Sequence, residues 1–439
     1  MKRIWALVLA STAALFPQAL LAQPATETAP DPASPFAVRA AQVVDLLGGR
    51  YPYTEFFSSA FQQAIPLEQF QAITADLTAQ YGAPLAIESA SSADGHAGTL
   101  RLRFEKAVGT LEMVVSGGPQ QRVEGLRVTD VKMLSDSFAQ VSADLAALPG
   151  RTAFLVAVLD GEAIHPIAGT NTELQLAIGS TFKLYILDEL AAQIAAGRRK
   201  WSDVVPLSHL SFSSAATANW PVGTPVTLQT LANWMISVSD NGATDTLIHL
   251  LGRDAIEARM RSSGHSDPSR NIPFLTTVEA FALKGNNFAD LRTDFLKADD
   301  REQRRLIDVN ADRLVLANVD GVSFDGKPRF IDRLEWFASA TDIARLMRDL
   351  RRRNAPAALA AMAINSGVAP GTTRNWSWVG YKGGSEIGVL SMSLLAQRKS
   401  DGKWFVVTAS WNNDQADVSA ETLVAMITRL LALTESWKP

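Results

Sequence analysis

"AIGSTFKLYILDELAAQI", residues 177–194, sets a serine, two spacers and a lysine at the mouth of an apolar helical run. Ser180 follows Gly179 and precedes that run. Its hydroxyl therefore falls near the free N–H groups and the positive dipole end of a helix start. Lys183 comes about one turn later, on the same face. A lysine held in a dry site can be neutral and can take a proton from a serine hydroxyl. The same residues also fit a plain N-cap followed by a solvated lysine. The tetrapeptide alone does not choose between them, because about two chance S-x-x-K matches are expected in a chain of this length. Ser400–Asp401–Gly402–Lys403 is a second match, fully explained as an Asp-Gly hairpin turn.

Two other stretches supply context. In "NWMISVSDNGATDTLIHLL", Ser239–Asp240–Asn241 falls between two helical patterns. It also reads as an Asp/Asn N-cap for a helix beginning near Gly242. In "WVGYKGGSEIGVL", Lys382 ends a strand and Gly383–Gly384–Ser385 follows. Glycines there let a backbone run close to a ligand, and they equally suit a turn. All three stretches are simple capping or turn chemistry when taken singly. Their order, S-x-x-K, then S-D-N, then K-G-G-S, favours a common purpose.

The 439 residues carry a formal net charge of −4, which argues against a dedicated nucleic-acid binder. The dense basic run Arg351–Arg353 reads as the solvated end of an amphipathic helix. Cysteine is absent, which excludes thiol nucleophiles, disulfides and thiolate metal sites. The five histidines show no metal-ligand spacing, and no cofactor or metal is expected. Lys2 and Arg3, the apolar run "IWALVLASTAALF" and the small Ala22 before Gln23 read as a signal peptide over residues 1–22. No later stretch is apolar enough to span a bilayer, so a secreted or periplasmic location is expected once the signal is removed.

Residues 23–35 are Pro/Ala-rich and read as a linker. Residues 36–134 read as a small α+β domain. The helical patterns "FAVRAAQVVDLLGG" and "LEQFQAITADLTAQYG" are followed by three alternating strands, "GTLRLRFEK", "GTLEMVVSG" and "RVEGLRVTDVKM". In pattern this block resembles the NTF2-like or cystatin-like group. Residues 135–439 form the second block: a helix, two strands joined at Asp160–Gly161, a long helical middle, further strands, and a last helix capped by Ser419. Strands at both ends imply one sheet built from the two ends of the segment, with the first and last helices on the same face.

With the three motifs in this order, residues 135–439 resemble a class A β-lactamase-type serine hydrolase. "PVTLQTLANWMISVSDNGATDTLIHLLG" resembles the family's helix leading into S-D-N, and "SATDIARLMRDL" its later helix. The two-domain layout is similar to the serine hydrolase of the clavulanic acid pathway type. The resemblance implies an antiparallel sheet flanked by helices, with an all-helical subdomain. It implies Ser180 as the acylated serine, Lys183 as its activator and Ser239 as the proton relay. Asn241 would hold the substrate amide, and Lys382 would sit near the substrate carboxylate. The N–H groups of Ser180 and Ser385 would form the oxyanion hole, with Gly384 and Ser385 lining the substrate. Expected substrates are small β-lactams, esters or peptidoglycan-like amides. Two departures stand out. Gly383 replaces a hydroxyl residue. The best candidate for the deacylating glutamate, Glu279, also completes a Thr276-x-x-Glu capping box, and the asparagine usual after such a glutamate is missing.

Overall fold

The computed structural model describes residues 29–321, 325–353 and 355–438. The expected signal peptide and residues 23–28 of the linker lie outside the described residues. The chain divides into two compact units, the first ending at Asp136 and the second running Ser137–Pro439.

In the first unit, helices Pro35–Leu47 and Leu67–Tyr81 stop at glycines, Gly82 taking a φ of +81° that an L side chain resists. A four-stranded antiparallel meander follows: Pro84–Ser92, Ala97–Phe104, Ala107–Val115 and Val123–Met133, in that order across the sheet. The sequence pattern gives only the last three. Pro84–Ser92 mixes small, polar and apolar residues with no regular in–out alternation, and its pairing to Ala97–Phe104 makes it a strand. Phe36, Val43, Phe56, Phe57, Leu100, Leu102 and Met113 form the core of this unit.

The second unit is built on a five-stranded antiparallel sheet. Its order is Trp376–Glu386, Val389–Arg398, Trp404–Asn412, Arg151–Asp160, Ala163–Thr170. The two ends of the segment therefore meet as neighbouring strands, Trp404–Asn412 beside Arg151–Asp160. The interior of Arg151–Asp160 is buried on both faces, which explains its unbroken apolar run. Successive side chains point to opposite faces. Phe154 and Val156 pack under helices Phe138–Ala146 and Ala420–Ser436 with Val141, Leu145, Leu423 and Ile427. Leu155 and Ala157 face the helical middle, with Leu184, Leu187, Ile343 and Met347. Pro166, which cannot donate to a ladder, sits in the edge strand Ala163–Thr170.

The basic run differs from its expected reading. It closes helix Ala340–Arg352, but Arg353 turns inward and forks onto the buried carboxylate of Asp188. Burial raises the Asp188 carboxyl, and Arg353 opposes that rise by holding it ionised. Periodicity shows which face a charge lies on but not that a buried acid awaits it. Among the described residues, no helix is long and apolar enough to cross a membrane.

Candidate active site

Ser180 lies on a 3₁₀ turn, Gly179–Phe182, that runs directly into helix Lys183–Ala195. Three contacts fix this turn. Asn412 brackets Ala177 with two backbone hydrogen bonds of 2.8 and 2.9 Å. Thr181 Oγ1 bonds Ser391 Oγ at 3.0 Å. The Phe182 ring stacks on Trp336 at 3.8 Å. Neither helical segment takes a side-chain cap from Ser180, so the plain N-cap reading does not hold. Ser180 Oγ makes no hydrogen bond among the described residues.

Lys183 is fully buried rather than solvated. Its Nζ reaches Ser239 O at 2.6 Å, Ser239 Oγ at 3.1 Å and Asn241 Oδ1 at 2.6 Å. From the other side, Lys382 Nζ donates to Ser239 Oγ at 3.0 Å and to Gly383 O. One serine hydroxyl thus bridges two buried amines. Burial pushes the Lys183 ammonium down from 10.5 to about 7, while Asp245 and Asp240 pull it back up. Burial, with Lys183 close by, pushes Lys382 well below the ordinary lysine range. Neither lysine forms an ion pair with a carboxylate among the described residues.

The Ser239 backbone is held at φ +58°, a conformation that a non-glycine residue adopts only when its surroundings impose it. Asp240 imposes it here. The buried Asp240 carboxylate caps helix Asn241–Leu251 through Ala243 N at 2.8 Å. It also accepts from Ala216 N, Thr217 N and Thr217 Oγ1 at 2.8–2.9 Å. The N-cap reading of S-D-N is therefore correct for Asp240, and that same cap presents Ser239 and Asn241 to the lysines.

Strand Trp376–Glu386 is at the sheet edge, so one side of its backbone is not used by the ladder. That side approaches the Ser180 turn. A Cβ on Gly384 would lie 2.5 Å from Ser180 N, and one on Gly179 would lie 2.8 Å from Ser385 N. Only glycines permit this approach, which brings the Ser180 and Ser385 N–H groups to one corner. Just beyond Ser385, Glu386 accepts from the buried Lys284 at 2.6 and 2.7 Å, and Glu335 joins the same cluster. Burial and the Glu335 charge drive the Glu386 carboxyl well up.

Glu279 stays outside this constellation. The capping box is present, with Thr276 N donating to Glu279 Oε2 at 2.8 Å. The other oxygen holds Arg253 at 2.8 Å. No hydrogen bond among the described residues links Glu279 to Ser180, Lys183, Ser239 or Asn241. Several supporting residues escape sequence reading: Gly179, Asp245, Trp336, Asn412 and the Lys284–Glu335–Glu386 cluster. Asn412, an amide that ends the apolar strand "WFVVTASWN", is the one with a visible signal. Asp245 accepts from Thr277 N and Oγ1 at 2.8 and 2.7 Å, and burial lifts it to about 6.

Residues 136–432 match the model of a family described as the beta-lactamase enzyme family. Among solved structures, a beta-lactamase from Sphaerobacter thermophilus is 20% identical, over 69% of this chain and 97% of that one, with a TM-score of 0.47. A structure of PBP-A is 14% identical over 69% of this chain and 96% of that one, at a TM-score of 0.47. An ancestral class A beta-lactamase is 18% identical over 68% of this chain and 100% of that one, at 0.49. None of the curated proteins matches.

Proposed function

Since the chain belongs to the beta-lactamase enzyme family, we propose that it is an exported serine hydrolase that forms an acyl-enzyme at Ser180 on β-lactams or related esters and amides, and releases it slowly. The observation that carries this reading is the Ser239 hydroxyl bridged between Lys183 and Lys382 beside the Ser180 turn. Lys183 at about 7 is half neutral at neutral pH. Its lone pair takes the Ser180 proton as Oγ attacks the carbonyl carbon. The contact between Nζ and Ser180 Oγ forms when substrate is bound, as catalytic hydrogen bonds often tighten only then. The oxyanion gathers at the N–H groups of Ser180 and Ser385. The proton passes from Lys183 through Ser239 to the leaving nitrogen, and the C–N bond breaks. Asn241 and the backbone at Gly384 and Ser385 hold the acyl side chain. Lys382 is a buried amine without a carboxylate partner among the described residues, and an anionic substrate group beside it, such as the carboxylate of a penicillin, would supply the counter-charge that favours its protonated form.

Slow release is supported by Glu279, whose two oxygens are committed to Arg253 and Thr276. A penicillin-binding, D,D-peptidase-like or esterase-like protein is the second reading that this observation favours. The N-terminal unit fits an NTF2- or cystatin-like spacer, and residues 1–22 a signal for a periplasmic or secreted destination. Nitrocefin colour change over time, compared with one-to-one labelling by a fluorescent penicillin, is the test. Label on Ser180 with slow colour change is expected. A purified, folded protein that takes no label would refute the reading.

A further inference from the structure

The residue after Lys382 is Gly383, so the strand offers no hydroxyl there. The space is nevertheless filled. A Cβ on Gly383 would run into the Tyr381 phenol, lying 2.7 Å from Cζ and closer still to the oxygen. Residues 381 and 383 point to the same face of the strand, so the phenol lies along the strand over Gly383. On its other side the ring lies against Gly367, where a Cβ would be 2.6 Å from Cδ2, Cε2 and Cζ. Gly367 at φ +68° belongs to a loop tied back to the site: its N–H bonds Asn365 Oδ1, and Asn365 Nδ2 reaches Ser237 O at 3.4 Å. Two glycines thus clamp the ring and fix where its hydroxyl lies.

Tyr381 Oη makes no hydrogen bond among the described residues. Unlike the sealed, unpartnered Tyr185 hydroxyl, it is not shut away from solvent. Across the strand pair, Ser393, Met392 and Ser391 stand opposite Lys382, Gly383 and Gly384, so that strand adds no cation there.

We propose that the Tyr381 phenol is a substrate-binding residue, donating to the substrate carboxylate beside Lys382 from the place a side chain at 383 would occupy. Burial pushes this phenol up to about 12, so it stays a donor across the working pH range. The proposal rests on the reading of the site as an acyl-serine pocket for anionic substrates.

The test uses benzylpenicillin and its methyl ester, which lacks the carboxylate charge. In a Ser180→Ala background, calorimetry gives non-covalent affinity. Adding Tyr381→Phe should weaken benzylpenicillin about ten- to a hundredfold, the range for a hydrogen bond to a charged group, and leave the ester unchanged. Gly383→Ala, whose Cβ displaces the phenol, should have the same selective effect. Tyr381→Ala with Gly383→Thr, which clears the ring and restores a hydroxyl, should recover part of the loss. Equal effects on acid and ester, no effect on either, or no preference for the acid in the Ser180→Ala protein overturns the proposal. Tyr381-dependent binding in a protein whose Ser180 takes no label would instead refute acyl-enzyme chemistry and leave the phenol's role intact.

Discussion

If Ser180 is acylated as proposed, the pH dependence of that step follows from the burial of Lys183. In water the amine titrates at 10.5, and here it falls to about 7. At 1.36 kcal/mol per tenfold, that is about 5 kcal/mol of preference for the neutral form. Lys183 is fully buried, so solvent screening does not shrink this figure. If neutral Lys183 accepts the Ser180 proton, the acylation rate follows its neutral fraction: about a hundredth at pH 5, about a tenth at pH 6, and a plateau above about pH 8. An ordinary lysine would leave only about one molecule in three thousand active at pH 7, and the rate would still climb tenfold per unit past pH 9. The assay is the second-order rate of fluorescent-penicillin labelling from pH 5 to 9.5, with thermal melts to exclude unfolding. Stability carries the same signature. Lys183 binds fewer protons folded than unfolded between about pH 7 and 10.5, so its contribution is least favourable below pH 7 and rises with pH through that window. Lys183→Met should abolish labelling and flatten this part of the stability profile. A labelling rate flat from pH 5 to 9, or still rising tenfold per unit between pH 8 and 9, would refute the argument.

Ser180→Ala should abolish covalent labelling, whereas Ser400→Ala, in the Asp401–Gly402 turn, should leave it intact; mass spectrometry of the labelled peptide reads both. Gly384→Ala puts a methyl 2.5 Å from Ser180 N, forcing the oxyanion corner apart. Acylation should fall by about 10²–10³, with the fold retained by circular dichroism, and normal labelling would contradict the placement of the two N–H groups. Glu279→Gln keeps the capping box but loses the charge on Arg253. Stability should drop by about 1–3 kcal/mol in urea titrations while deacylation is unchanged. A variant that accumulates an adduct the wild type clears would make Glu279 a general base after all.

The sequence by itself determined what local chemistry can encode. Alternation and helical periodicity gave the strands of the five-stranded sheet, three of the four in the first unit, and the terminal helices with their shared face, because those patterns express burial directly. The order of S-x-x-K, S-D-N and K-G-G-S was enough to single out Ser180, Lys183, Ser239, Asn241 and Lys382 as candidates. Tertiary structure decided which local reading each motif takes. Lys183 is buried because the helix it opens runs through the core, and a lysine's exposure is not written in its neighbours along the chain. Glu279 fits a base and a cap equally well until Arg253, from another helix, claims its free oxygen. Arg353 reads as solvated from its neighbours along the chain, but its guanidinium pairs with the buried Asp188. The Tyr381 phenol lies over Gly383 only because Gly367, from a distant loop, leaves room for the ring. In each case the deciding partner is remote in sequence, and spacing along a chain carries no information about contacts made by folding it.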